Sequence, residues 1–285
     1  MDFDAKYGEF LNKFNEHLQG YVSSLSGDDT LVSAMKYSLL CGGKRFRPVL
    51  ALACADILGV NAERILPFAL AIELIHTSSL IHDDLPALDN DDFRRGKPSN
   101  HKVYGESMAV IAGDALLNAA YELLFKNART ENELKAAAYI AKCSGQTGML
   151  GGQALDIRSS KETGEDLLLK IDGLKTCKLI QAPIISAVLL AEKDVMSLES
   201  FGRDLGLLFQ FTDDVLDETG ESDKLGKTVG KDKAENKLTA VSVYGLDGAK
   251  KQIDVYKSRC LDFLNSISGS EFLTELVIRI AERDR

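Results

Sequence analysis

The chain is poor in the residues that would make it a metal-cluster protein, a disulfide scaffold or a nucleic-acid binder. Its five cysteines, Cys41, Cys54, Cys143, Cys177 and Cys260, are odd in number and widely scattered, with no metal-ligand spacing among them. They fit reduced thiols and a cytoplasmic location. Lys and Arg total 34 against 43 Asp and Glu, a net charge of −9, which is the wrong sign for a nucleic-acid footprint. No apolar run reaches about 18 residues unbroken, so no transmembrane span is expected. The amino terminus, Met1-Asp2-Phe3-Asp4, lacks the basic and apolar regions of a signal peptide. There are only five prolines and no convincing run of strict polar–apolar alternation, which disfavours a β-rich fold.

What is abundant is helical period. Leu66, Leu70 and Leu74, then Leu116, Leu117, Leu123 and Leu124, then Leu179, Ile184 and Val188 recur at three- and four-residue steps, the pattern of buried helix faces. Helices are expected near 3–20, 29–40, 48–58, 61–82, 105–127, 131–148, 165–191, 194–218, 233–244, 245–266 and 270–283. Two long polar loops are expected, 83–104 and 218–232, the first broken by Pro86, Gly96 and Pro98, the second by Gly220, Gly226 and Gly230. At 285 residues and 45% hydrophobic content the chain can bury a large core. The expectation is one all-α domain over 1–285, a bundle of ten or more helices around a central cavity.

Each long loop follows an acidic run at the end of an apolar helix. The runs are Asp83-Asp84-Leu85-Pro86-Ala87-Leu88-Asp89 and Asp213-Asp214-Val215-Leu216-Asp217. Adjacent carboxylates away from bulk water repel, and a bound cation is the usual remedy. Hard oxygen ligands suit Mg²⁺, which takes one or two carboxylates and fills its shell with water and substrate phosphate. Two such runs suggest opposing walls of one cavity that holds a diphosphate through magnesium. A helix turns about 100° per residue, so Asp213 and Asp217 share one face, as do Gln210 and Asp214. A solvated helix face is the competing reading, against which stands the apolar run Leu205–Phe211. In the first run Pro86 makes a straight helix untenable. The chain should end its helix near Asp84 and fold over, bringing Asp89 back toward Asp83. His76 lies seven residues before Asp83, about 20° off its face; a structural histidine and a functional one both fit.

Cations supply the other half. Gly42-Gly43-Lys44-Arg45-Phe46-Arg47-Pro48 sets three after two glycines, and glycine lets backbone approach an anion while arginine forks grip phosphate oxygens. Arg94-Arg95, Lys175-Thr176, Lys227 and Lys237 add donors. Surface ion pairing is the plain alternative for each cluster alone.

Taken in order, these segments resemble the trans-isoprenyl diphosphate synthases, the family of farnesyl and geranylgeranyl diphosphate synthases, over nearly the whole chain. Residues 42–48 resemble the isopentenyl-diphosphate-binding motif. Leu80–Asp89 with Arg94-Arg95-Gly96 resembles the first aspartate-rich motif, in the form with two extra residues between the acids. Gly152-Gln153 with Asp156, Lys175-Thr176, Phe209-Gln210 leading to Asp213, Asp214 and Asp217, Gly226-Lys227 and Asn236-Lys237 follow in the family's order.

The resemblance implies head-to-tail condensation of isopentenyl diphosphate with an allylic diphosphate, in a homodimer, with Mg²⁺ as cofactor (three ions with substrate bound). It implies that Asp83, Asp84 and Asp89 clamp magnesium from one side, and Asp213, with Asp214 and Asp217 as further candidates, from the other. Arg94, Lys175, Lys227 and Lys237 would face the departing diphosphate. Lys44, Arg47, His76 and Arg95 would hold isopentenyl diphosphate. Thr176 and Gln210 would turn oxygen dipoles to the allylic cation, and released diphosphate would take the proton. The family's floor against growth beyond fifteen carbons is a bulky aromatic one turn below the first aspartate, where this chain has Ser78 and Ser79. That departure favours a twenty-carbon product, with fifteen carbons the alternative if Tyr121 or another side chain closes the channel.

Three other functions use some of the same residues. A terpene cyclase needs aromatic faces to steady carbocations, and the chain has no tryptophan. A metal-dependent phosphohydrolase would leave the basic clusters unexplained and has only four histidines to draw on. A non-catalytic synthase subunit would be expected to lose one acidic run, and both are intact.

Overall fold

The structure, a computed structural model, describes residues 2–159, 164–193, 196–219 and 237–283. Lys227, Gly220, Gly226, Gly230 and Asn236, singled out in the sequence, lie outside the described residues, as does the start of the helix expected at 233–244. The helices in chain order are α1 (Phe3–Ser24), α2 (Asp29–Leu39), α3 (Phe46–Leu58), α4 (Ala62–Asp83), α5 (Asn100–Tyr104), α6 (Glu106–Asn127), α7 (Glu131–Ser144), α8 (Met149–Arg158), α9 (Glu165–Asp172), α10 (Lys178–Leu190), α11 (Met196–Thr219), α12 (Ala240–Leu264) and α13 (Glu271–Ala281). The all-α expectation holds.

Three helices are apolar on every side and sit inside. In α3 every residue from Pro48 to Ala55 is buried, in α4 every residue from Ile65 to Ile75, and in α10 every residue from Leu179 to Val188. A helix without a polar face must be surrounded, and α4 packs on α6, α3 and α10 while α10 packs on α7, α3 and α11. By length and composition alone α4, α6 and Glu165–Leu190 would suffice to cross a membrane, which the unbroken-run criterion did not register. In α4 and Glu165–Leu190 the most apolar stretch is mostly packed inside the protein, 78% and 67% of it being buried. The outer helices are striped instead. In α1 only Phe3, Phe10, Phe14, Leu18 and Val22 are buried, one face of the cylinder.

The structure departs from the sequence reading in four places, one of them the short helix α5 inside the loop expected over 83–104. The loop after α4 contains a two-strand antiparallel hairpin, β1 (Phe93–Arg94) and β2 (Lys97–Pro98). Its turn residues Arg95 and Gly96 both have positive φ, 54° and 74°, the signature of a tight hairpin turn. The helix expected over 131–148 stops at Ser144, and α8 follows after a turn at Gly145–Gly148. Glycine lowers helix propensity, so α8, with Gly151 and Gly152 inside it, leaves no helical signal. The helix expected over 165–191 carries one wide π turn, Gly173–Cys177.

An ion pair fixes α3 to α4 in the dry interior. Arg45 Nη1 donates to Glu73 Oε1 at 2.8 Å, and both side chains are almost fully buried. The same guanidinium also donates to the Leu39 carbonyl. Removing one partner of such a pair strands a charge, whereas removing both can be nearly neutral. Glu73→Leu should lose about 3–5 kcal/mol of stability, read as a lowered urea midpoint, and adding Arg45→Met should recover most of it. A double variant no more stable than the single would show that the pair is not the source of the loss.

Candidate active site

The first acidic run closes on itself as the proline demanded. α4 ends at Asp83, and the backbone N–H of Asp89 donates to the Asp83 carbonyl at 2.8 Å, with Asp91 N–H on the Asp84 carbonyl at 3.2 Å. Asp83 and Asp89 therefore stand together, while Asp84 turns the other way. It is buried and accepts from Arg94, whose Nε lies 2.9 Å away, and Arg94 also reaches Asp91 at 3.1 Å. Among the described residues no donor bonds the Asp83 carboxylate. Burial raises its pKa to about 6, opposed by Lys175 and Arg94 and reinforced by Asp89 and Asp84.

The second wall is α11. Gln210 and Asp214 meet as their four-residue spacing required, the amide donating to Asp214 Oδ1 at 2.8 Å. Thr176 Oγ donates to the Gln210 carbonyl oxygen at 2.8 Å. Asp214 Oδ2 accepts the Ala240 N–H at 2.7 Å and so anchors the start of α12. Asp217 is buried beside Asp214 and Lys237. Asp213 forms an ion pair with Arg283, whose guanidinium also caps the Phe209 carbonyl at 2.9 Å and lies 4.4 Å above the Phe209 ring.

Two lysines join the walls. Lys237 Nζ is 3.2 Å from Asp89, and it lines the same acidic cleft as Asp213 and Asp214. Lys175 stands on the π turn and lines both this cleft and the larger cavity, with Nζ 2.5 Å from Asp156. Burial by itself would lower its pKa, but Asp156, Asp83 and Asp89 raise it, so it is charged. The π turn is pressed between two helices. A Cβ on Gly152 of α8 would lie 2.2 Å from the Lys175 nitrogen, and one on Gly206 of α11 would lie 2.6 Å from Cys177 Sγ. A π turn so held re-aims one side chain without breaking the helix. Asp172, one turn earlier, is a member the sequence reading missed. It is buried in the cleft with Oδ2 unpartnered, and burial, with Asp214 and Asp156 beside it, lifts its pKa well above the carboxylate range.

The cations expected to hold a second anion are partly gathered and partly not. Arg95 lies flat on the Gly42-Gly43 backbone, donating to the Gly42 carbonyl at 2.5 Å. A Cβ on Gly43 would sit 2.6 Å from its Cζ, so this glycine makes room for a guanidinium rather than for an anion. Arg47 lines the main cavity with His76, and its Nε is buried without a partner. His76 is held neutral, its pKa driven well down by burial and by Arg47, Arg95, Arg94 and Arg45. Lys44 is exposed and lines neither the main cavity nor the acidic cleft, its carbonyl accepting from Tyr7. Arg45, the middle cation of the motif, points inward to Glu73. Arg283 is a further cation that the sequence reading passed over, since nothing in its spacing ties it to Asp213 seventy positions away.

Below Asp83 an apolar cavity of about 470 Å³ runs between α4 and α6. Ser78 and Ser79 are both in its wall, with Ile75, Leu117, Met149 and Leu150. The helices touch closely at its mouth. A Cβ on Gly113 would lie 2.2 Å from His82 Nε2, which donates to the Val110 carbonyl at 3.1 Å and sits 3.6 Å from Asp114.

The acidic walls fit magnesium rather than a closed protein cage. Among the described residues no three His, Cys, Asp or Glu groups gather tightly enough to hold an ion unaided. Yet Asp83 presents an unbonded carboxylate to a cavity with Asp89 beside it. Mg²⁺ ordinarily completes such a partial set with water and phosphate oxygens.

The polyprenyl synthetase family model matches residues 28–262. A farnesyl diphosphate synthase of Bacillus subtilis (strain 168) is 39% identical over 276 residues, covering 94% of this chain and 93% of the relative. The chloroplastic geranylgeranyl pyrophosphate synthase 7 of Arabidopsis thaliana is 41% identical, over 99% of this chain and 84% of the relative. The structure of a geranyltransferase from Helicobacter pylori, complexed with magnesium and isoprenyl diphosphate, superposes with a TM-score of 0.83 at 31% identity, covering 97% of this chain and 96% of that one. Family motif, relatives and fold agree, and the chain belongs to the polyprenyl synthetase family.

Proposed function

We propose that this prenyltransferase lengthens a short allylic diphosphate by head-to-tail condensation with isopentenyl diphosphate and releases mainly the twenty-carbon product. The observation that carries the reading is that one apolar cavity is lined by Asp83 and Lys175 together with Arg47 and His76. A chain-shaped hydrocarbon, an ionisable diphosphate and a second anion each have a matching surface there.

Asp83 and Asp89 from one wall and Asp213 from the other would hold magnesium, three ions when substrate is bound, with Asp84, Asp214 and Asp217 behind them. Asp84 acts by fixing Arg94, and Asp214 by fixing Gln210 and the start of α12. Bound there, Mg²⁺ supplies positive charge to the leaving diphosphate. Lys175, Arg94 and Lys237 add to that charge in a partly dry site, where preorganised cations act most strongly; Lys227 is assigned the same role. As the allylic C–O bond breaks, its electron pair leaves on diphosphate. The Thr176 and Gln210 oxygens face the cation left behind. The π electrons of isopentenyl diphosphate then form the new C–C bond, and a proton passes to the released diphosphate, so no side chain serves as base. Lys44, Arg47, His76 and Arg95 hold the second diphosphate where no acidic cluster gathers metal, so it does not ionise. The apolar lining keeps water from the cation. Five free cysteines support a cytoplasmic site of action. Exposed Ile111 and Phe125 on α6 support a homodimer, each copy one catalytic unit over 1–285.

Four measurements test this reading. Asp83→Ala or Asp213→Ala should cut turnover by orders of magnitude at saturating Mg²⁺ while the fold survives; near-normal turnover in either would remove the two-walled site. Since the fold holds the Asp83 pKa near 6, above its unfolded value, its protonated form is favoured. From this group alone, metal-free stability should fall as pH rises through 6, and the Mg²⁺ needed for half-saturation should rise as pH falls through 6. Asp83→Asn should flatten both trends in calorimetric titrations. Arg47→Ala should raise the KM for isopentenyl diphosphate by roughly ten- to a hundredfold, the worth of a charge-assisted contact. It should change that for the allylic substrate far less, with Lys227→Ala doing the reverse. Ser78→Tyr should shift the main product from twenty to fifteen carbons, read by chromatography. A wild-type enzyme that stops at fifteen would refute the open channel at Ser78.

A further inference from the structure

The serines at positions 78 and 79 leave the channel open, so something deeper must end it. Close contact between Gly113 and His82 sets the register of α4 and α6, which run antiparallel along the cavity. Stepping four residues from that contact on each helix pairs Ser78 with Leu117, both in the cavity wall. Stepping eight pairs Leu74 with Tyr121. Val110, Asp114 and Leu117 of α6 line the cavity at helical spacing, and Tyr121 is the next position on that stripe. The wall on α4 ends at Ile75, at the same depth.

Tyr121 is also tied to a residue of the cavity wall. Its hydroxyl lies 2.9 Å from Ser144 Oγ at the end of α7, and Ser144 itself lines the cavity. Ser144 Oγ also lies 3.0 Å from the Ala141 carbonyl, which can only accept, so both bonds form together when the Tyr121 hydroxyl donates to Ser144. The ring is thereby strapped from α6 to α7. Further along the same two helices a second, open cavity of about 500 Å³ is lined by Leu66 and Leu70 of α4, Leu123 of α6 and the charged Lys13 and Glu16 of α1, and it shares no lining residue with the first.

We propose that the Tyr121 ring, held by Ser144, is the floor of the product channel and the residue that sets product length in this chain. This rests on the condensation proposed above and adds where growth ends. Four residues of helix are about 6 Å, close to one extended isoprene unit of roughly 5 Å. A floor at Tyr121 therefore admits one unit more than an aromatic at position 78 would.

The test compares wild type, Tyr121→Ala, Tyr121→Phe and Ser144→Ala, with product sizing under excess isopentenyl diphosphate. Tyr121→Ala should extend the main product by at least one five-carbon unit. Tyr121→Phe and Ser144→Ala keep the ring and should leave the main product unchanged, with the longer fraction rising several-fold. A Tyr121→Ala enzyme that condenses with the wild-type product profile would overturn the proposal. Tyr121→Leu, which keeps more of the buried volume, serves the same comparison if the alanine variant does not fold. Calorimetric binding of farnesyl and geranylgeranyl diphosphate with Mg²⁺ separates the two readings. Wild type should bind the longer compound at least tenfold more weakly, and Tyr121→Ala should close that gap. A wild type that binds both with this preference yet forms no product contradicts the condensation but keeps the floor. Equal preference in wild type and variant contradicts the floor even where condensation is normal.

Discussion

Like charges gathered at low water content are what the rest of this structure is arranged around. Asp83 has its pKa raised by its own burial and by Asp89 and Asp84 beside it. Asp172 is pushed further by burial and by Asp214 and Asp156. No polypeptide keeps so many carboxylates ionised in one cleft without opposing charge. The protein supplies part of it: Arg94 to Asp84, Lys175 to Asp156, Lys237 to Asp89 and Arg283 to Asp213. Among the described residues, Asp83 is left over, unbonded and lining the cavity. The unfilled remainder is what a cation and a diphosphate together would complete in the condensation proposed for this chain.

One helix carries most of the consequences. Along α4, Glu73 receives the buried Arg45, His76 joins Arg47 at the cavity rim, Ser78 and Ser79 line the cavity, His82 packs on Gly113, and Asp83 ends the helix. Asp83 at the helix end, Ser78 and Ser79 in the cavity wall and His76 beside Arg47 therefore stand within about two turns of one another. The arrangement works only because α4 is dry on all sides elsewhere, so that it cannot slide or rotate without unburying leucine and isoleucine. Rigidity in the core is thus what gives the cavity a defined depth.

Local relations were legible in the sequence and distant ones were not. The helical period placed most helices, Pro86 foretold the fold-over that brings Asp89 to Asp83, and four-residue spacing foretold the Gln210–Asp214 bond. Each depends on neighbours within a turn or two. The inward aim of Arg45, the capture of Asp84 by Arg94, the Arg283 cap on Asp213 and the presence of Asp172 in the cleft depend on partners fixed by tertiary packing, for which spacing carries no signal. The resemblance to a known family named the motifs but did not distinguish, within a motif, the cation that faces a ligand from the one that holds two helices together. α8 was lost because its glycines argue against a helix locally, and they are present because the π turn presses on them.

Those glycines join the packing to the chemistry. Gly113, Gly152 and Gly206 each stand where even a methyl group would collide with His82, Lys175 or Cys177. At each point the absent side chain lets a chemically active segment come one atom's width closer than ordinary packing allows. Gly113 draws α6 onto α4 at the mouth of the cavity and so sets the register that places Tyr121 opposite Leu74. Gly152 and Gly206 clamp the π turn and so aim Lys175 between the cavity and the acidic cleft. Interiors packed this tightly transmit small displacements instead of absorbing them. A methyl group at Gly152 or Gly206 would therefore move the lysine that both sites share, and one at Gly113 would move the floor of the channel relative to its mouth. The spacing between charge and tail is held by three positions that themselves touch neither.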